Sequence, residues 1–92
     1  MHVEISSNLK KKLKKLSKTD KQLTERVQKQ LNLFLSNPKH PSLRTNKLSG
    51  NLNNMRSISV TESIRMTYLL LETDTAYFVD IGTHDEVYKR NS

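Results

Sequence analysis

The 92 residues, 34% of them hydrophobic, suffice for one compact domain with a modest core and exclude two, so residues 1–92 are read as a single domain. The absence of cysteine excludes a disulfide framework and a thiolate metal site, and no apolar run is long enough to span a bilayer. The formal charge of +7 is lopsided: residues 1–50 hold 12 Lys and Arg against three acids, whereas residues 51–92 hold four against six, so the first half is expected to attract a polyanion, either nucleic acid or an acidic protein.

Met1-His2-Val3-Glu4 opens the chain without the basic segment and apolar core of a signal peptide, which together with the missing cysteines suits a cytoplasmic protein. His2 to Ser6 alternates and predicts a first strand with Val3 and Ile5 facing the core. Ser7 or Asn8 then caps a helix on which Leu9, Leu13 and Leu16 share one face and the five lysines between Lys10 and Lys15 lie mostly elsewhere. Thr19 or Asp20 caps a second helix with the period Leu23, Val27, Leu31, Phe34, Leu35, and Asn37-Pro38 stops it. Two amphipathic helices joined so tightly predict an antiparallel hairpin whose apolar stripe needs a further surface to cover.

Residues 38–54 contain both prolines and one of the two glycines, and predict a long irregular connection with a short strand near Leu43. Arg44, Lys47 and Arg56 in and after this segment are candidates for phosphate contact, or else solvated loop charges. Strands follow over 56–61, 64–72 and 75–81, and the tight breaks between them favour an antiparallel meander. The order predicts an α+β domain: an N-terminal strand and a two-helix hairpin packed on a twisted antiparallel β-sheet, the other face partly open.

Arg65 interrupts an otherwise apolar strand, where a charge is costly unless it meets water or a partner. It is either an outward arginine, paired with Asp80 or Glu62, or a bidentate phosphate clamp on an exposed concave surface. His84 follows the last strand after a glycine turn, and imidazole is the side chain best suited in general to proton transfer at neutral pH. Asp85 and Glu86 beside it either orient the histidine or cap a short turn over 85–88. Tyr88 either stacks on a base or closes the core. His2, His40 and His84 are too dispersed to suggest a metal site, and no phosphate-cradling glycine motif or glycine-flanked serine is present.

Several stretches together, Leu33-Phe34-Leu35-Ser36-Asn37-Pro38, the run from His40 to Gly50, Ser57-Ile58-Ser59-Val60, Ile64-Arg65-Met66-Thr67-Tyr68 and the run from Asp80 to Tyr88, resemble the RelE/ParE superfamily of type II toxin–antitoxin toxins, in its RelE/YafQ-like mRNA interferase branch. The resemblance covers nearly the whole chain. It implies a RelE-like fold and a ribosome-dependent endoribonuclease that needs no metal or other cofactor and inhibits translation: the ribose 2′-hydroxyl attacks the adjacent phosphate, leaving a cyclic phosphate and a free 5′-hydroxyl. It implies as partners mRNA on the ribosome and a cognate antitoxin with an acidic toxin-binding segment, with operator DNA met only through the toxin–antitoxin complex, and no membrane.

Residue by residue, Arg65 matches the strand arginine that stabilises the phosphate, His84 the C-terminal acid or base, and Tyr88 the terminal aromatic that contacts a nucleotide. Arg44 and Lys47 match the basic loop that holds RNA backbone, Arg56 stays a candidate RNA contact on its charge alone, and Asp85 and Glu86 are supports of His84 or of the turn. Two positions depart from the pattern. Asn46 stands where many relatives have histidine and cannot exchange a proton near neutral pH, which leaves His84, Lys47 or the 2′-hydroxyl's own environment for that step; Met55 or Arg56 stands where many have a large aromatic. The ParE branch keeps open a non-enzymatic inhibitor of DNA gyrase, and the departures keep open a catalytically degenerate homologue that only binds its antitoxin.

Overall fold

A computed structural model of the chain describes residues 1–47, 55–72 and 74–91, with side chains up to residue 87. In order these are β1 (His2–Ile5), α1 (Ser7–Thr19), α2 (Lys21–Ser36), a 3₁₀ turn (Pro41–Leu43), β2 (Asn46–Lys47), β3 (Met55–Ser59), β4 (Ile64–Leu71), β5 (Thr75–Thr83) and α3 (His84–Asn91). No helix among these residues is long and apolar enough to cross a membrane.

The helices begin where side-chain oxygens can take up free backbone donors. Ser6 Oγ accepts from the Leu9 amide at 3.0 Å, one residue before the expected cap, and donates to the Val79 carbonyl at 3.2 Å, which ties the start of α1 to β5. Asp20 Oδ1 accepts from the Leu23 amide at 3.0 Å and so opens α2 within one residue of the end of α1. The Asn37 amide closes α2 on the Leu33 carbonyl ahead of Pro38.

The five strands form one sheet in the order β1-β5-β4-β3-β2. The meander β3-β4-β5 is antiparallel as the tight breaks predict, and β2 extends it on one edge. The expectation of an all-antiparallel sheet is corrected at the other edge, where β1 runs parallel to β5 with His2 opposite Thr75 and Ile5 opposite Phe78. Nearly the whole chain lies between β1 and β5, so the long crossover that a parallel pair needs is available. The strand expected near Leu43 is a single 3₁₀ turn, begun by Pro41 at its first position, with Leu43 fully buried. The short turn expected over 85–88 is part of α3.

α1 and α2 cover one face of the sheet. Leu9, Val27, Leu31 and Phe34 from the helices pack with Ile58, Val60, Met66, Tyr68, Ala76 and Phe78 from the strands. At the centre Phe34 meets Tyr68 and Phe78 edge-on, with ring centroids 5.2 and 5.4 Å apart. From α2, Arg26 Nε donates to the Val60 carbonyl and Gln30 Nε2 to the Ser59 carbonyl, both at 2.8 Å, so carbonyls at the end of β3 are satisfied by the helix above them.

Between β4 and β5 the register slips: Thr67 lies opposite Asp80 but Tyr68 opposite Phe78, which leaves Val79 as an extra residue on β5. Past this bulge Ile81 lies opposite Met66 on the helix side, and Gly82 comes abreast of Arg65. The other side of β3 and β4 carries Ser57, Ser59, Arg65 and Thr67, all buried. The expectation that Arg65 stands on an exposed surface is therefore corrected: only 8% of it is accessible.

Candidate functional site

Arg65 and His84 lie at the same end of the β4–β5 pair. Gly82 faces Arg65 in the ladder, and two residues later the His84 amide donates to the Ser63 carbonyl at 3.3 Å, fastening the start of α3 to the turn between β3 and β4. The His84 side chain is exposed there. The guanidinium of Arg65 points across the sheet toward its β2 edge. Nε donates to Ser57 Oγ at 2.9 Å, and Nη2 donates to the Arg44 carbonyl at 2.5 Å and to the Ser57 carbonyl at 3.2 Å. These bonds account for a buried cation in a strand, since donors satisfied by fixed carbonyls offset much of the cost of leaving water.

Arg44 is the residue that this arrangement holds. It closes the 3₁₀ turn in the left-handed region, at φ 47° and ψ 50°, a conformation uncommon for a residue with a Cβ. Its amide donates to the Pro41 carbonyl at 3.1 Å while its own carbonyl receives Arg65, so both sides of the strained residue are fixed. Its side chain is exposed and borders two clefts. The smaller, of 240 Å³, lies against the β3–β4 turn and is bordered by Arg26, Ser42, Arg44, Ser59, Thr61 and Glu62. It puts two arginines at the end of the sheet where His84 stands. Arg26 escaped sequence reasoning, because nothing in the helical spacing sets it apart from the other cations of the first half.

The larger cleft, of 620 Å³, lies on the helix side toward the opposite end of β4, with Phe34, Tyr68 and Leu70 in its lining and Lys39, Arg44 and Arg56 among its polar groups. Arg56 belongs to this cleft and not to the surroundings of Arg65: it pairs with Tyr68 and shares a face with Ile58, whereas Ser57, which binds Arg65, faces the other way. Burial raises the pKa of the Tyr68 hydroxyl, and the Arg56 guanidinium beside it pulls the other way by its charge and hydrogen bonding.

The remaining candidates divide. Lys47 is exposed on the edge strand β2, opposite Arg56. Glu86 and Thr83 form a capping box at the start of α3: the Thr83 amide donates to Glu86 Oε1 at 3.0 Å and the Glu86 amide to Thr83 Oγ1 at 3.2 Å. Of the two readings open for Glu86, the structure displays the cap; the Thr-x-x-Glu spacing of residues 83–86 carried that signal. Asp85 is exposed. Tyr88 has its backbone in α3, but its side chain lies outside the described residues. Asp80, considered as a partner of Arg65, forms an ion pair with Lys12 Nζ of α1 at 2.6 Å.

No protein-family model matches the chain. Among curated proteins it is 32% identical over 89 residues to the RelE4 toxin candidate of Methanocaldococcus jannaschii, covering 96% of this chain and 90% of that one. Solved structures share its fold. The YoeB/ParE toxin from Agrobacterium tumefaciens superposes with a TM-score of 0.76 at 14% identity, over 91% of this chain and 99% of that one. YafQ in the E. coli DinJ–YafQ toxin–antitoxin complex does so with a TM-score of 0.72 at 20% identity, over 94% of each chain.

Proposed function

Because the chain belongs to the RelE-like toxins of type II toxin–antitoxin systems, we propose that it is a ribosome-dependent mRNA endonuclease silenced by an antitoxin. The observation that carries this reading is the fastening of His84 to Ser63, which puts an exposed imidazole at the end of the sheet where Arg26 and Arg44 border a cleft. Phosphodiester transfer to a neighbouring ribose hydroxyl needs a group that moves a proton near neutral pH and cations that meet the charge growing on the phosphate. His84 supplies the first, taking the proton of the 2′-hydroxyl or giving one to the departing 5′-oxygen. Arg44 and Arg26 supply the second, with Lys47 on the adjacent edge strand holding RNA backbone. Tyr88 follows His84 by one turn of α3 and enters as a nucleotide contact.

Arg65 acts in this scheme through Arg44, whose backbone it holds. Arg56, which borders the larger cleft, is left out of it, and Lys47, on the same face but exposed at the sheet edge, enters only as a contact to RNA backbone. The antitoxin partner is supported by the solved DinJ–YafQ complex, and a basic first half suits an acidic binding segment.

The test is primer extension on a translated message incubated with ribosomes and purified protein. New 5′ ends are expected with wild type and a large loss of them with His84→Gln; equal cleavage by the two removes His84 from the mechanism. The engagement of Arg65 by carbonyls favours one second reading, a non-enzymatic gyrase inhibitor, for which the same experiment gives no new ends and gyrase-linked DNA breaks appear instead.

A further inference from the structure

The 620 Å³ cleft is not used by the proposed nuclease. Its size lies within the range of about 300–1,000 Å³ typical of ligand sites, and its chemistry is divided between an apolar floor and a cationic rim. Phe34 and Tyr68 are only 1% and 4% exposed, and they pack edge-on against each other. Their faces are therefore closed to a stacking base, which weighs against single-stranded nucleic acid as the occupant. The floor of Leu70, Pro38 and Pro41 with the edges of these rings suits an aliphatic side chain.

The rim is cationic. Lys39, Arg44 and Arg56 border the cleft, and no carboxylate does among the described residues. Arg56 stands opposite Tyr68 in the β3–β4 ladder, which places its charge beside the apolar floor. One exposed large hydrophobic, Met1, borders the cleft as well.

We propose that this cleft docks an acidic polypeptide segment by one buried aliphatic side chain, with flanking carboxylates meeting Lys39, Arg44 and Arg56. Assigning that segment to the antitoxin rests on the toxin reading above; the chemistry of the cleft does not. Arg44 borders both clefts, so a segment bound here draws on a cation that the RNA cleft also needs. Binding then weakens RNA contact through Arg44, without touching His84.

The experiment titrates the ¹⁵N-labelled full chain with a synthetic peptide of one leucine flanked by glutamates. It is repeated with serine for leucine, with glutamine for glutamate, and with a short oligouridine. Saturable shifts are expected at the amides of Lys39, Arg44, Thr45 and Arg56, with either peptide replacement weakening binding about tenfold. Lys39→Glu, on an exposed side chain, is expected to weaken the parent peptide about fivefold or more, and Arg56→Gln to do likewise with an unchanged circular dichroism spectrum. No saturable shifts at these amides, indifference to loss of the leucine, or equal affinity of Lys39→Glu overturns the proposal. Tighter binding of oligouridine to the same amides overturns it in favour of a nucleic-acid site. A chain that binds the peptide yet cuts no message loses the nuclease reading alone, and one that cuts message but ignores the peptide loses the docking site alone.

Discussion

The buried guanidinium of Arg65 donates to the carbonyl of Arg44, 21 residues earlier, and thereby fixes an arginine held in the left-handed backbone region. Replacing Arg65 by alanine leaves that carbonyl and the Ser57 carbonyl without their donor, at a cost of about 1–3 kcal/mol readable as a lower urea midpoint. If Arg65 serves cleavage only by holding Arg44, then Arg65→Ala and Arg44→Ala lower the cleavage rate by similar factors, and the double variant loses little more than either. Fully multiplicative losses mean that Arg65 touches RNA in its own right.

His84 is exposed, and its backbone amide is bonded to the Ser63 carbonyl. His84→Gln is expected to leave the unfolding midpoint within about 0.5 kcal/mol of wild type, to lower cleavage by roughly 10²–10⁴, and to flatten the pH–rate profile between about pH 5 and 8. A profile that keeps its shape points to Lys47 or Tyr88 as the group that moves the proton.

Glu86 and Thr83 exchange hydrogen bonds across the first turn of α3. Thr83→Ala or Glu86→Ala is expected to cost about 1 kcal/mol and to speed amide exchange through α3, with the double variant costing less than the sum because the two bonds are reciprocal. Glu86→Ala also separates cap from catalysis. It should leave the shape of the pH–rate profile intact, whereas a shifted profile makes Glu86 a partner of His84.

The helices were legible because their cores repeat at helical spacing: Leu9, Leu13 and Leu16, then Leu23, Val27, Leu31 and Phe34, with Asp20 between as cap. The meander was legible from alternation and tight breaks. The same alternation held a fact left unread: Arg56 and Ile58 share a face, so a core-facing Ile58 already separates Arg56 from the side of Ser57 and Arg65. Three features had no local signal. The parallel pairing of β1 and the bond from Arg65 to Arg44 depend on which distant strand or loop comes alongside, and the bulge at Val79 depends on how neighbouring strands slip in register, which alternation alone does not mark. The 620 Å³ cleft is likewise assembled from α2, the segment after it, and strands β3 and β4.

Thr67 is fully buried between Ser57 and Asp80 in the ladder, and its hydroxyl has no hydrogen-bond partner among the described residues. An unpaired buried hydroxyl is destabilising, and valine has nearly the same shape. Thr67→Val is expected to raise stability by about 1 kcal/mol in urea denaturation. A decrease means that the hydroxyl finds a partner in solution.

Tyr68 provides a pH dependence with a defined sign. Burial raises the pKa of its hydroxyl above the ordinary 10.0, so the folded chain holds the phenolic proton at pH values where the unfolded chain has released it. The stability tied to that proton is fully present below about pH 10 and is lost as pH rises from there through the folded pKa. Tyr68→Phe cannot ionise, so it escapes this loss. Its stability relative to wild type should be constant from pH 7 to about 9.5 and should improve steadily above that, measured by urea denaturation at stepped pH. The comparison cancels the lysines, which titrate in the same range in both proteins. A difference that stays flat to pH 11 means that Arg56 holds the folded-state pKa at its ordinary value, the two effects on the hydroxyl cancelling.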